Sequence, residues 1–141
     1  MSNKRIRKKR KYLDDLGVYP LKDMVPTGNS DRFKKERKIY GFDSRETYNL
    51  DTTMYYLLYE RLCMFLEKSS DIIDFTYYKF DYKGKEYTQE ELMDILLDKL
   101  KTAVTFDFYD YGNKSQEYKE RYTYISDIWE IWNILHEYMW W

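Results

Sequence analysis

Three stretches of this chain repeat apolar side chains at steps of three and four, a spacing that fits a helix and excludes a strand. The first runs Leu50, Met54, Leu57, Leu58, Leu62, Phe65 and Leu66. The second runs Leu92, Ile95, Leu96, Leu100, Ala103 and Val104. The third runs Tyr118, Tyr122, Ile125, Trp129 and Trp132, then Leu135 or His136, then Met139. Together they predict a mainly α fold, a small helical bundle of three main helices over about 50–68, 89–104 and 115–139. Local signals set the helix ends. Asn49 or Asp51 can accept from the first free amides of the first helix, and Asp43 or Ser44 can cap a short turn ahead of it. Thr88-Gln89-Glu90-Glu91 has the form of a capping box, the Thr88 hydroxyl accepting from the Glu91 amide and the Glu91 carboxylate reaching back. Between these helices, aromatics from Phe75 to Tyr87 surround Lys83-Gly84-Lys85. This predicts a short β-hairpin near 77–87 that needs helices to pack on; a short helix over 71–79 is the alternative.

Charge divides the chain. Residues 1–41 hold 13 basic and 5 acidic side chains, and residues 42–141 hold 11 basic and 20 acidic, so the net charge of −1 is a cancellation between +8 and −9. The expected organisation is therefore a basic, partly extended N-terminal arm over 1–40 and an acidic, aromatic-rich helical domain over 41–141. Lys4, Arg5, Arg7, Lys8, Lys9, Arg10 and Lys11 form one basic block, and Arg32, Lys34, Lys35, Arg37 and Lys38 form a second that could make two helical turns anchored by Phe33. Leu13-Asp14-Asp15 follows the first block where a secretory signal would need an apolar run, so secretion is not expected. These blocks could dock on phosphates, on an acidic partner, or on the acidic part of the same chain, and the last satisfies the charges with no partner at all.

Candidate chemistry is sparse. Glu90, Asp94 and Asp98 lie four apart on one side of the second helix, where they could bind a divalent metal or mimic a row of phosphates, a solvated face being the commoner outcome. Asp107, Tyr109, Asp110 and Tyr111 make an acidic, aromatic loop suited to contact or to aromatics tucked beneath it. That loop lacks the glycine and final glutamate of a calcium site, so no metal and no cofactor is expected. Cys63, the single cysteine, reads as a structural thiol and excludes an internal disulfide. His136, the single histidine, reads as packed on the last helix, since no nucleophile stands at a known spacing from it. All four tryptophans fall in residues 129–141, and either the body or a partner must cover the terminal pair, core docking being the favoured reading. The longest uncharged run, Thr52–Tyr59, has eight residues, far short of the roughly 20 a bilayer span takes.

Three stretches taken in order resemble a set of small proteins from bacteriophages and prophages. They are Gly41-Phe42-Asp43-Ser44-Arg45-Glu46-Thr47-Tyr48-Asn49-Leu50-Asp51 with Leu57 through Phe65 behind it, Tyr87 through Leu92, and Ile128-Trp129-Glu130-Ile131-Trp132 to Trp140-Trp141. The resemblance spans roughly residues 41–141, leaves the basic residues 1–40 outside it, and carries no catalytic residues. It implies a phage-like origin and a cytoplasmic setting in a bacterial host cell. Combined with charge segregation and no visible chemistry, it points to a non-enzymatic, anti-defence (anti-CRISPR-type) interaction protein. Its expected partner is a host protein or ribonucleoprotein effector such as a CRISPR nuclease, whose nucleic-acid site it would block. The alternative is an accessory protein binding RNA or DNA directly through the basic arm. No membrane is expected as a partner.

Overall fold

The computed structural model describes residues 10–18, 30–105 and 115–140. They form a mainly helical chain with one small antiparallel hairpin. In order the elements are α1 (Lys11–Asp15), α2 (Ser30–Tyr40), a 3₁₀ turn (Ser44–Thr47), α3 (Leu50–Ser69), β1 (Lys79–Tyr82), β2 (Lys85–Thr88), α4 (Gln89–Thr105), α5 (Ser115–Leu135) and a closing 3₁₀ turn (His136–Tyr138). The chain separates into two compact units, Met1–Glu60 and Arg61–Trp141, with the division inside α3.

In the first unit α1 is a single turn whose Leu13 is fully buried. Most of the α2 surface is charged, so it buries one large side chain, Phe33, whose ring is covered by the Arg45 guanidinium at 4.6 Å. Gly41, at φ +82, ends α2 in the left-handed conformation, and its amide donates back to the Arg37 carbonyl at 2.9 Å. Asp43 then caps the 3₁₀ turn in a full capping box with Glu46. Residues 30–40 are thus tied to residues 43–46 across the boundary expected at residue 40.

The predicted face of α3 is corrected. Leu50 is 56% exposed and Met54 is exposed too, while Tyr55, Tyr59 and Leu62 are the buried aromatic and aliphatic positions. Leu62 belongs to the predicted stripe, while Tyr55 and Tyr59 each lie one residue, about 100°, on from Met54 and Leu58 and turn the buried face toward themselves. Tyrosine explains the difference, because its ring supplies as much apolar area as a leucine while its hydroxyl stays at an edge.

In the second unit the hairpin pairs Lys79 with Thr88 and Tyr82 with Lys85. Lys83 (φ 50) and Gly84 (φ 76) form its two-residue loop, both in the left-handed region that a twisted hairpin turn requires. The capping box read from the sequence opens α4: the Glu91 amide donates to Thr88 Oγ1 at 3.2 Å and the Thr88 amide to Glu91 Oε1 at 3.0 Å. Helices α4 and α5 pack on each other. Leu92, Met93, Leu96 and Leu100 on α4, with Ile128, Ile131 and Leu135 on α5, have no exposed surface. Burial of such a side chain stabilises by about 1.5–3 kcal/mol, against about 0–1 for a surface ion pair, so apolar burial holds this unit.

The core register of α5 also differs from the predicted stripe. Ile128, Ile131 and Leu135 are buried, whereas Trp129 is 37% exposed and Trp132 is only half-buried. Both sets step at helical spacing, and the slimmer aliphatics took the inward face. His136 is exposed, its ring 6.0 Å from that of Trp132, so it is a surface side chain and not a packed one. Trp140 is 75% exposed and therefore outside the core; Trp141 lies outside the described residues.

Candidate interaction surfaces

The first unit is organised around one buried carboxylate. Asp43 is 1% exposed, and Arg45 grips it with a fork, Nε to Oδ1 at 2.9 Å and Nη2 to Oδ2 at 2.7 Å. The Arg45 amide donates to Oδ1 at 3.0 Å, and Arg37 Nη1 reaches Oδ2 from α2. Burial alone would raise the Asp43 pKa, but these donors outweigh it and hold it below the ordinary value. Beside it, Glu36 accepts from both the amide and the hydroxyl of Ser44 and from Arg32 Nε at 2.9 Å. The Ser44 bonds come first among the causes that lower the Glu36 pKa.

This polar base holds α2 against the 3₁₀ turn, and between them lies an open, mainly apolar groove of about 720 Å³. Arg32, Lys35, Ile39, Tyr40, Phe42 and Thr47 are among its lining residues. Ile39 is 71% and Tyr40 65% exposed, and the Tyr40 and Phe42 rings stand 6.1 Å apart. A local apolar surface left open beside cations is the composition of a contact site.

The expected basic residues divide by role. Lys4, Arg5, Arg7, Lys8 and Lys9 lie outside the described residues. Arg10 pairs with Glu60 at 2.7 Å and approaches Glu46 at 4.0 Å. Lys11 stands 5.2 Å from the Tyr12 ring centre. Arg32 and Arg37 are committed to Glu36 and Asp43. Lys34, Lys35 and Lys38 are exposed and make no ion pair among the described residues. Arg10 and Arg37 tie elements of the first unit together, Arg32 makes a surface pair with Glu36, and Lys34, Lys35 and Lys38 face solvent.

Of the expected acidic residues, Glu90, Asp94 and Asp98 are exposed on α4 and make no ion pair among the described residues, while Asp107, Tyr109, Asp110 and Tyr111 lie outside them. No group of three or more metal-ligating side chains converges among the described residues. Two features had no forecast in the sequence reading. One is Asp127 on α5, 6% exposed, which receives Lys83 from the hairpin turn at 2.8 Å and Lys99 from α4 at 3.2 Å. Burial would raise its pKa, and the two ammonium groups hold it below the ordinary value instead. The buried Tyr82 hydroxyl lies close to this pair without a hydrogen bond of good geometry; burial first, then the Asp127 charge, raises its pKa.

The other is a run of touching rings. Tyr77 and Tyr78 meet edge to face at 5.0 Å, Tyr78 meets Tyr138 at 5.0 Å, and Tyr138 meets Phe80 at 4.9 Å. The density of aromatics between 75 and 82 was the available signal; the return of Tyr138 to them was not readable from spacing. No described helix is long and apolar enough to cross a membrane. Comparison with protein-family models, with curated proteins and with solved structures finds no match to this chain.

Proposed function

We propose that this protein acts by contact and not by catalysis, as a phage-encoded protein of the bacterial cytoplasm that counters a host defence system. It binds a nucleic-acid-handling effector, for example a CRISPR nuclease, and occludes its nucleic-acid site. In this reading the three long helices act as one bundle that carries the contact surfaces. The observation that carries the proposal is the separation of unpaired charge. Among the described residues, Lys34, Lys35 and Lys38 make no ion pair on α2 beside the exposed Ile39, Tyr40 and Phe42, and Glu90, Asp94 and Asp98 make none on α4. Opposite charges left unpaired within one small chain suit a partner whose surface also carries both signs, as a protein that grips nucleic acid does. The resemblance to phage proteins supports the setting.

A second reading is favoured by the α2 surface alone: lysines flanking open rings are the elements of single-strand binding, in which bases stack and phosphates pair. Affinity capture from lysate of CRISPR-bearing bacteria, with and without nuclease treatment, separates the two. A protein effector that survives nuclease treatment is the expected result. Recovery of nucleic acid alone, with affinity falling steeply in salt, transfers the assignment to the second reading. Recovery of neither overturns both.

A further inference from the structure

The aromatic run of the second unit is tied together by one buried residue, through its backbone and its side chain. Gln89 is 2% exposed; its amide donates to the Tyr78 carbonyl at 3.1 Å and its Nε2 to the Tyr138 carbonyl at 3.2 Å. The hairpin approach and the last 3₁₀ turn are therefore fixed to the same residue, which brings the Tyr78 and Tyr138 rings together at 5.0 Å. Those rings remain open to solvent nonetheless, Tyr77 by 75%, Tyr78 by 49% and Tyr138 by 37%.

The charges beside them that make no ion pair among the described residues have one sign. Glu137 precedes Tyr138 and Glu90 follows Gln89, both exposed and neither in an ion pair among the described residues. The nearby cation Lys79 is engaged by Glu86 at 3.7 Å. A tyrosine face attracts a cation through its quadrupole, and a free carboxylate next to it adds Coulomb attraction for the same group. An acidic or phosphate-bearing ligand would meet repulsion here.

We infer that Tyr77, Tyr78 and Tyr138, flanked by Glu90 and Glu137, form a docking surface for a lysine- and arginine-rich segment of a partner protein. Side-chain cations lie over the ring faces, and the two carboxylates set their spacing. This rests on the contact reading above and gives the acidic side of the protein a definite address. On an effector that grips nucleic acid, the matching segment is part of the cationic lining that otherwise holds phosphates.

The test is a titration of the full chain with a fluorescent twelve-residue peptide of alternating Arg and Gly, read by anisotropy at low and at physiological salt. Saturable binding is expected, weakened about tenfold in Tyr77→Ala/Tyr138→Ala and about as much in Glu90→Gln/Glu137→Gln. Asp71→Asn/Glu130→Gln removes the same charge from exposed positions outside the contact surfaces and is expected to change affinity less than twofold. Should the tyrosine pair prove destabilising, Tyr77→Ala alone, with its open side chain, carries the aromatic arm of the test. An equal loss in the Asp71/Glu130 control would mean diffuse attraction to an acidic surface and would overturn the site. So would tighter binding of a Glu-Gly or proline-rich peptide, or self-association of the free protein that Tyr77→Ala abolishes. Because no effector is present, peptide binding with failed lysate capture overturns only the effector reading. Lysate capture with failed peptide binding overturns only this surface.

Discussion

Each unit buries one aspartate between two cations, and the two sites are built differently. Asp43 takes a forked guanidinium from Arg45, two residues away, a second from Arg37, six away, and a backbone amide. Asp127 takes two point-like ammonium groups, Lys99 from 28 residues away on α4 and Lys83 from the hairpin turn. The Arg45 side chain is 10% exposed, whereas Lys99 is 26% and Lys83 53% exposed. The difference teaches what each carboxylate does. Asp43 finishes a local turn, and its main partner Arg45 has little recourse to water although Arg37 is 34% exposed, while Asp127 joins three elements already held by apolar packing, with partners that can return to solvent.

The comparison breaks most readily at Asp43. Asp43→Ala removes the cap of the 3₁₀ turn and leaves Arg45 buried with its donors unmatched, an expected loss of about 3–4 kcal/mol in urea unfolding followed by circular dichroism. A loss under about 1 kcal/mol would mean that the guanidinium finds water readily, and the contrast would be wrong. At the other site, Asp127→Ala is expected to cost about 1–2 kcal/mol, reduced because both lysines can be rehydrated. All four tryptophans lie in residues 129–141, so their fluorescence reports this second change directly.

The same two sites show where the sequence was readable. Asp43 was named as a cap because its partners are close in the chain, and so was the Thr88–Glu91 box; both are local chemistry that spacing displays. Gly84 marked the hairpin for the same reason, its conformation being a property of the residue itself. Asp127 looked like one more charge on a polar helix, because its meaning depends on Lys83 and Lys99 arriving from other elements. The helix faces lay between these extents of legibility. Period alone located α3 and α5, but the same period fits two adjacent faces. Choosing between Trp129/Trp132 and Ile128/Ile131 requires the shape of the opposing α4 surface. The exposed tyrosines at 77, 78 and 138 were out of reach for the same reason, since Gln89 brings them together across the fold.

Exchanging the cations sharpens the contrast between fork and point charge. Arg45→Lys keeps the charge but gives up the paired Nε and Nη2 bonds and the flat cover over Phe33, an expected loss of about 1–2 kcal/mol. Lys99→Arg keeps one contact of a half-open pair and is expected to stay within about 0.5 kcal/mol of the parent. Equal losses in the two variants, by the same urea titration, would show that guanidinium geometry is not what distinguishes Asp43.

Acid gives the smallest and most discriminating effect. Both carboxylates have folded pKa values below the ordinary aspartate value. A group depressed on folding contributes stability that is full above its unfolded pKa and is lost as pH falls through the folded one. Both contributions are therefore intact at neutral pH and decline below about pH 4, where the unfolded chain takes up protons before the folded chain does. Asp43→Asn and Asp127→Asn each remove one such carboxylate, so each should flatten the fall of stability between pH 4 and pH 2 relative to the parent. The flattening should be larger for Asp43→Asn, whose charge is held by four N–H donors, three of them on the shielded Arg45. A parent-like slope in Asp43→Asn would place the acid sensitivity elsewhere, Glu36 first, because its pKa is also lowered and its Ser44 bonds span the same turn.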